Sequence, residues 1–285
     1  MDSKKIPICL SIAGLDPSGG AGIIADIKTF TAFGCFATAA VAALTFQNTT
    51  AVFGAINQTA ATVRGQVEPI LQDFEISALK TGMLPTQAVI EEVARLVTDF
   101  NLKNLVVDPV VRSTSGFDLI DDSALQVLIN KLFPLSDLVT PNIPEAERIT
   151  KITIKTESDI HQTAKLIQSM GAKNVLIKGG HLAILDFGLG ILDSVGVKNQ
   201  NLKFKKRIAK DFLFIGDDLH IFEAEYYETT ATHGTGCTLA AAITANLALG
   251  NDLIKSVEIA KKFVNEAIRT APNIGHGHSP INHLI

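Results

Sequence analysis

The residues with most chemistry in a short span are His233-Gly234-Thr235-Gly236-Cys237-Thr238, a polar loop that opens onto the apolar run Leu239–Leu249. Backbone N–H groups at a helix start have no intrahelical partner, the helix dipole favours negative charge there, and glycine lets an anion approach the backbone closely. Gly234, Thr235 and Gly236 thus read as an anion cradle. Cys237 falls in the first turn, where the same field favours a thiolate able to accept a proton. The plainer alternative is a glycine-started helix with a small buried thiol.

A second glycine-rich stretch lies near the start, where Ile6–Ala13 reads as a buried strand running into Gly14-Leu15-Asp16-Pro17-Ser18-Gly19-Gly20-Ala21-Gly22. It ends without the Lys-Ser/Thr that a phosphate-binding P-loop places on phosphate and magnesium. Gly20-Ala21-Gly22-Ile23-Ile24-Ala25 matches the dinucleotide fingerprint, but the next strand ends in Thr45-Phe46-Gln47-Asn48 and offers no acid for a ribose. The loop instead suits a small flat molecule lying against the backbone. Asp26, expected in the first helical turn, is either a dipole carboxylate or a substrate partner. Gln47, an amide at a strand end, can donate and accept toward a heteroaromatic ring, or can simply begin a turn.

Stepping along the chain, strands alternate with helices. Strands fall at Ala37–Leu44, Val52–Ile56, Ala78–Thr81, Asn104–Val107, Leu138–Thr140 and Asn174–Ile177. Helices fall at Ile23–Phe33, Thr59–Asp73, Gln87–Phe100, Asp121–Lys131, Glu157–Met170, Cys237–Leu249 and Asp252–Ala271, with a further helix start at Pro144. This pattern predicts a three-layer α/β fold whose central sheet is mainly parallel and covered by helices on both faces, with ligands beyond the carboxyl ends of the strands. A small antiparallel edge is expected near 188–225, from Gly190–Val195, Phe204–Ile208, Asp211–Ile215 and Leu219–Ala224. No linker composition divides the 285 residues, so one domain is expected. The loops after strands therefore carry functional weight: Gly82-Met83, Asp108-Pro109, Asn142 with Glu145, and Lys178-Gly179-Gly180-His181. Asn142 and Glu145 offer the oxygen chemistry magnesium prefers, and Lys178 suits phosphate oxygens.

The composition sets limits on partners and setting. A formal net charge of −4 and the absence of a dense Lys/Arg block argue against nucleic-acid or membrane-surface partners. Three widely spaced cysteines, no membrane-length apolar run and no signal-like start indicate a reducing, cytoplasmic setting. The histidine-rich segment Gly275–His283 reads as a surface tail.

Taken together and in order, these loops resemble the hydroxymethylpyrimidine/phosphomethylpyrimidine kinases of thiamine biosynthesis, members of the ribokinase-like superfamily. The matching segments are Ala13–Gly22 with Asp26, Gln47-Asn48-Thr49, Lys80–Leu84, Val107–Val110, Thr140–Ala146, Lys178–His181 and Gly234–Cys237. The resemblance implies transfer of the γ-phosphoryl of ATP, with Mg2+, to an aminopyrimidine alcohol and then to its monophosphate; a pyridoxal or pyridoxine kinase is the alternative, and a non-catalytic vitamin-binding module a further one. It places Gly14, Asp26, Gln47 and Met83 on the pyrimidine and Gly234, Thr235, Gly236 and Cys237 at the moving phosphoryl group. Cys237 stands there as the base. Asp108 and Glu145 fall on the metal, and Lys178, Asn142 and Thr235 on the nucleotide. It also implies a homodimer. Arg112 departs from the family pattern and is expected at the surface.

Overall fold

The structure is a computed structural model and describes residues 5–112, 116, 118–180 and 207–285. His181, the strand expected at Gly190–Val195 and most of that at Phe204–Ile208 lie outside the described residues.

Period-two side-chain alternation gives the central sheet two apolar faces. In β5 (Leu105–Val107), Leu105 and Val107 join the core under one helix layer while Val106 joins the other. In β7 (Asn174–Lys178), Val175 and Ile177 oppose Leu176, and in β8 (Ile208–Ile215), Phe212 and Phe214 oppose Leu213. A strand buried on both faces must be apolar throughout, which is why these segments read as unbroken hydrophobic runs. The remaining strands are β1 (Ile8–Leu15), β2 (Phe36–Gln47), β3 (Val52–Asn57), β4 (Ala78–Thr81), β6 (Leu138–Val139) and β9 (Asp218–Glu225). Their order is β3-β2-β1-β4-β5-β6-β7-β8-β9. The six strands from β2 to β7 run parallel, and β8 and β9 form the expected antiparallel edge.

The opposite edge is antiparallel too, through β2 and β3. Helix–strand alternation does not reveal this, but loop length does: residues 48–51 are too few for a parallel crossover. Asn48 closes the turn, its Oδ1 accepting from the N–H groups of Thr50 and Ala51.

Helices α2 (Ala60–Asp73), α3 (Gln87–Asp99), α4 (Asp122–Lys131), α5 (Ile143–Thr150) and α6 (Glu157–Ser169) cover one face. The other face carries α1 (Gly22–Ala32), α7 (Thr235–Ala248) and α8 (Leu253–Arg269). α7 is buried at every position from Thr238 to Asn246, wedged between the sheet, α1 and α8, and its alanines permit that close approach. Among the described residues no helix is long and apolar enough to cross a membrane.

The segment 275–283 is docked, not a free tail. Gly277 N donates to Thr49 Oγ1 and His278 N to Thr49 O at 2.8 Å, while Asn282 N donates to Ala267 O. A Cβ on Gly277 would sit 2.1 Å from Thr49 O, so only glycine permits this approach. His233 N donates to Ser279 O, and the buried His283 Nε2 lies 3.0 Å from Thr238 Oγ1 in the first turns of α7. The segment therefore braces the start of that helix.

Burial, with a smaller contribution from Lys28, pushes the His283 imidazole down to about 4 from 6.5. The unfolded chain then binds the proton first, so the stability that His283 contributes is complete above pH 6.5 and is lost as pH falls toward 4. His283→Gln keeps a hydrogen-bonding group for Thr238 without that titration. Urea midpoints of the wild type and variant should diverge on acidification, the wild type losing about 1–2 kcal/mol more by pH 5; parallel curves would contradict the burial.

Candidate active site

Among the described residues, six α-helices begin under a side-chain cap, from Thr59, Thr86, Asp121, Asn142, Thr156 and Asp252. The two that begin without one are α1 and α7. Both point their first turns into one cavity of about 570 Å³ at the carboxyl ends of the central strands. An uncapped, dipole-positive helix start is open to an external anion. Gly234 supplies the entry to α7 with φ 81°, and a Cβ there would lie 1.8 Å from Gly20 O, so the anion loop and the loop after β1 interlock through two glycines.

One end of the cavity is a flat slot. Gly14 faces the buried Met83, and a Cβ on Gly14 would lie 2.9 Å from its Sδ. Gln47 closes the slot, with its Oε1 3.2 Å from Thr45 Oγ1 and its Nε2 3.4 Å from His233 Nε2. The expected trio Gly14, Gln47 and Met83 is thus brought together on the cavity wall.

Asp26 is not part of that wall. It lies in the second turn of α1, wholly buried, where its carboxylate accepts from Lys80 Nζ at 2.9 Å to each oxygen and from Ser11 Oγ at 2.6 Å. The direct substrate contact expected of Asp26 is therefore corrected: its carboxylate is taken up by Lys80 and Ser11, and it is Lys80 that lines the cavity. Burial opposes the Lys80 charge, but Asp26, Cys237 and Asp108 outweigh it and hold the ammonium protonated.

At the other end, Thr235, Gly236 and Cys237 all line the cavity, but Thr235 spends its donors within its own loop. The Thr235 amide and hydroxyl both donate to Thr232 O, at 3.3 and 3.0 Å, so the cradle is made chiefly by the two residues that follow it. The Cys237 thiol is pushed up to about 11, first by burial and then by the nearby Asp108 and Asp26, against the pull of Lys80 and the Gly22 amide. The helix field alone had suggested a depressed thiol; desolvation outweighs it in the ligand-free site.

Asp108, Glu145 and Lys178 form a buried charge cluster beside the cradle. Lys178 Nζ lies 2.8 Å from Asp108 Oδ1 and 3.8 Å from Glu145 Oε2, and 3.1 Å from where a Cβ on Gly236 would be. The lysine expected on phosphate thus also pairs with the two acids expected on a metal. Glu145 and Asn142 form a reciprocal capping box at α5, so the Asn142 carbonyl is engaged and its amide NH2 is the group left to meet a ligand. Burial lifts the Glu145 carboxyl to about 7, Lys178 opposing and Asp108 adding to the rise. Arg112 pairs with Asp118 at 2.9 Å, both more than half exposed, as expected of a surface residue.

Several cavity residues escaped the sequence reading. Lys80 sat inside a matched segment without a role. Asp16 and His233 lay in the two glycine loops, yet nothing local shows that they meet; Nε2 of His233 is 2.6 Å from Asp16 Oδ2. His278 arrives from the docked C-terminal segment, and Val264, Asn265 and Ile268 from α8. Helical spacing marks the α8 residues only as one face of an amphipathic helix.

Residues 16–282 match the family described as phosphomethylpyrimidine kinase. A relative from Haemophilus influenzae, named hydroxymethylpyrimidine/phosphomethylpyrimidine kinase, is 42% identical over 96% of this chain and 95% of its own. Among solved structures, the phosphomethylpyrimidine kinase of Clostridium difficile aligns with a TM-score of 0.74 at 36% identity, over 93% of this chain and 100% of that one. The ADP complex of Bacillus subtilis pyridoxal kinase aligns with a TM-score of 0.82 at 32% identity, over 98% of each chain. With its interlocked glycine loops, ring slot and helix-start cradle in one cavity, and with these matches over nearly its whole length, the chain belongs to the phosphomethylpyrimidine kinase family.

Proposed function

We propose that this protein uses ATP and magnesium to phosphorylate 4-amino-5-hydroxymethyl-2-methylpyrimidine, and then its monophosphate, in thiamine biosynthesis. The observation that carries the reading is the placing of the Gly14–Met83–Gln47 slot and the uncapped start of α7 at the two ends of one cavity, with Cys237 at the cradle. The names of the relatives and the ADP complex of the pyridoxal kinase support it.

In this reading the slot holds the ring flat, and Gln47, which can donate and accept, meets the aminopyrimidine edge. The hydroxymethyl group then points toward Cys237, whose thiolate takes its proton as the oxygen attacks phosphorus. The Gly236 and Cys237 amides and Lys178 stabilise the charge on the transferring group, and Lys80 stabilises the thiolate from beneath. Such transfers are accelerated mainly by alignment and charge stabilisation, so these groups suffice. Asp108 and Glu145 fit magnesium, which takes one or two carboxylates and completes its shell with phosphate oxygens and water. Among the described residues no cluster of three or more His, Cys, Asp or Glu is built to hold a metal alone, which suits an ion arriving with its nucleotide. When bound, it would supply positive charge to the phosphates and offset Asp108, one of the acids holding the thiol up.

The single nine-stranded sheet supports one kinase domain over residues 1–285, and three free thiols support a reducing cytoplasm. A homodimer is supported by the outer hairpin, where Leu44, Phe46 and Ile56 share one face and are 39%, 52% and 53% exposed. The occupant proposed for this face is a second copy of the chain. Light scattering should give twice the chain mass, and Phe46→Glu with Ile56→Lys should give a monomer; a monomeric wild type removes the dimer.

Purified protein with ATP and magnesium should convert the pyrimidine alcohol to mono- and diphosphate. Turnover of pyridoxal alone would assign the alternative substrate. Cys237→Ala should lower kcat roughly 10²–10⁴-fold, whereas a near-normal kcat would leave the cradle but no base. In the ligand-free protein, alkylation of Cys237 followed by peptide mass spectrometry should be slow at pH 7 and climb through pH 10, because thiolate accumulates only as pH approaches about 11. A plateau below pH 8 would contradict burial as the dominant influence.

A further inference from the structure

We propose that Asp16 and His233 form a positioning pair that fixes the orientation of the Gln47 amide and so sets which ring edge the slot accepts. The inference rests on the substrate reading above and adds to it the device that selects the ring.

His233 and Asp16 are 5% and 3% exposed, and the ring lies over Gly20, where a Cβ would be 2.4 Å from His233 Cδ2 and 3.0 Å from Pro280 Cβ. The imidazole therefore has no room to turn. Its Nε2 is 2.6 Å from Asp16 Oδ2. The same carboxylate accepts from Ser18 N, Ser18 Oγ and Ala21 N. Burial pushes the Asp16 carboxyl up, yet the bonds from His233 and Ser18 outweigh it and hold it below the usual range, so it is ionised. An ionised carboxylate at that distance requires the proton on Nε2, which leaves that nitrogen no lone pair for an amide NH2.

Gln47 touches the same nitrogen at 3.4 Å and, with its other end, Thr45 Oγ1 at 3.2 Å. The single Thr45 hydroxyl proton goes to Leu15 O at 2.9 Å, so toward Gln47 that hydroxyl can only accept. Both ends then give the same answer. The amide carbonyl belongs on the His233 side, as the longer branch of a three-centre bond from the one Nε2–H that Asp16 also accepts, and the NH2 on the Thr45 side, an exchange made by a half-turn about the last side-chain torsion. One N–H and one carbonyl lone pair remain for a ligand, in fixed order. An aminopyrimidine, with an amine beside a ring nitrogen, pairs with that order; a hydroxymethylpyridine lacking the amine does not. The hydrogen-bond sequence is thus Asp16, His233, Gln47, Thr45, Leu15, and it links the loop after β1 to the loop before α7.

Two measurements test this. In ligand-free wild type, nitrogen NMR of 15N-histidine-labelled protein should show His233 with Nε2 protonated; a bare Nε2 overturns the proposal, whatever the substrate proves to be. The second is a double-mutant cycle on the ratio of kcat/KM for the pyrimidine alcohol to kcat/KM for pyridoxine. His233→Phe should lower the ratio about tenfold, the worth of one hydrogen bond, and should change it no further in a Gln47→Ala background. A parallel fall for both substrates, or an equal fall of the ratio with and without Gln47, marks a merely structural role and overturns it. A wild type that phosphorylates no pyrimidine overturns the substrate reading, while the NMR result still decides the pair.

Discussion

The buried pair between Lys80 and Asp26 is the interaction on which the site depends. It ties β4 to α1, with Ser11 of β1 as third partner, under the floor of the cavity. Both side chains are wholly buried. Losing one partner of such a pair costs about 3–5 kcal/mol, because the other charge stays uncompensated in a poorly polarisable interior. Lys80 also faces Cys237 and Asp108. One ammonium thus fixes the position of α1 against the sheet and sets the field at the reacting end of the cavity. The fold tolerates the desolvation of this charge because Asp26, Cys237 and Asp108 all face it.

Two helix starts remain uncapped beside this pair. An unsatisfied helix terminus is normally covered by a side chain, as at the other six helices, and here the loops hold the termini without filling them. Gly20 and Gly234 let the two loops touch backbone to backbone, and the 275–283 segment braces them through Ser279 and His283. The cradle is therefore held before any ligand arrives, which lowers the reorganisation required when charge develops.

Much of this was legible in the sequence, for identifiable reasons. Strand and helix positions followed from apolar runs and caps. Gly14, Gln47 and Met83, and likewise Cys237 with Lys178, Asp108 and Glu145, stand at ends of parallel strands or at a helix start, where topology alone gathers them. Asp26 was misplaced because sequence distance from a glycine loop does not say which face of the helix looks at the sheet. The antiparallel β3 needed loop length as well as alternation. The thiol of Cys237 was misjudged because helix position is local whereas burial is a property of the packed molecule. The docking of His278 and His283 depends on Thr49 and Thr238, far away in the chain, and no local pattern announces such partners.

Asp108, Glu145 and Lys178 gather opposite charges beside the cradle. Two neighbouring acids would repel each other if left bare in a buried site, and burial already lifts Glu145 to about 7. Lys178 resolves this by pairing with both, nearest to Asp108. Its ammonium also lies beside Gly236, so only a side-chain rotation separates the carboxylates from the cradle. Under the proposed function, the same lysine would turn from the acids to phosphate once another cation balances them. Asp108, Glu145 and Lys178 are held together by opposite charge, with Asp108 taking the closer contact to the one ammonium and Glu145 the longer one.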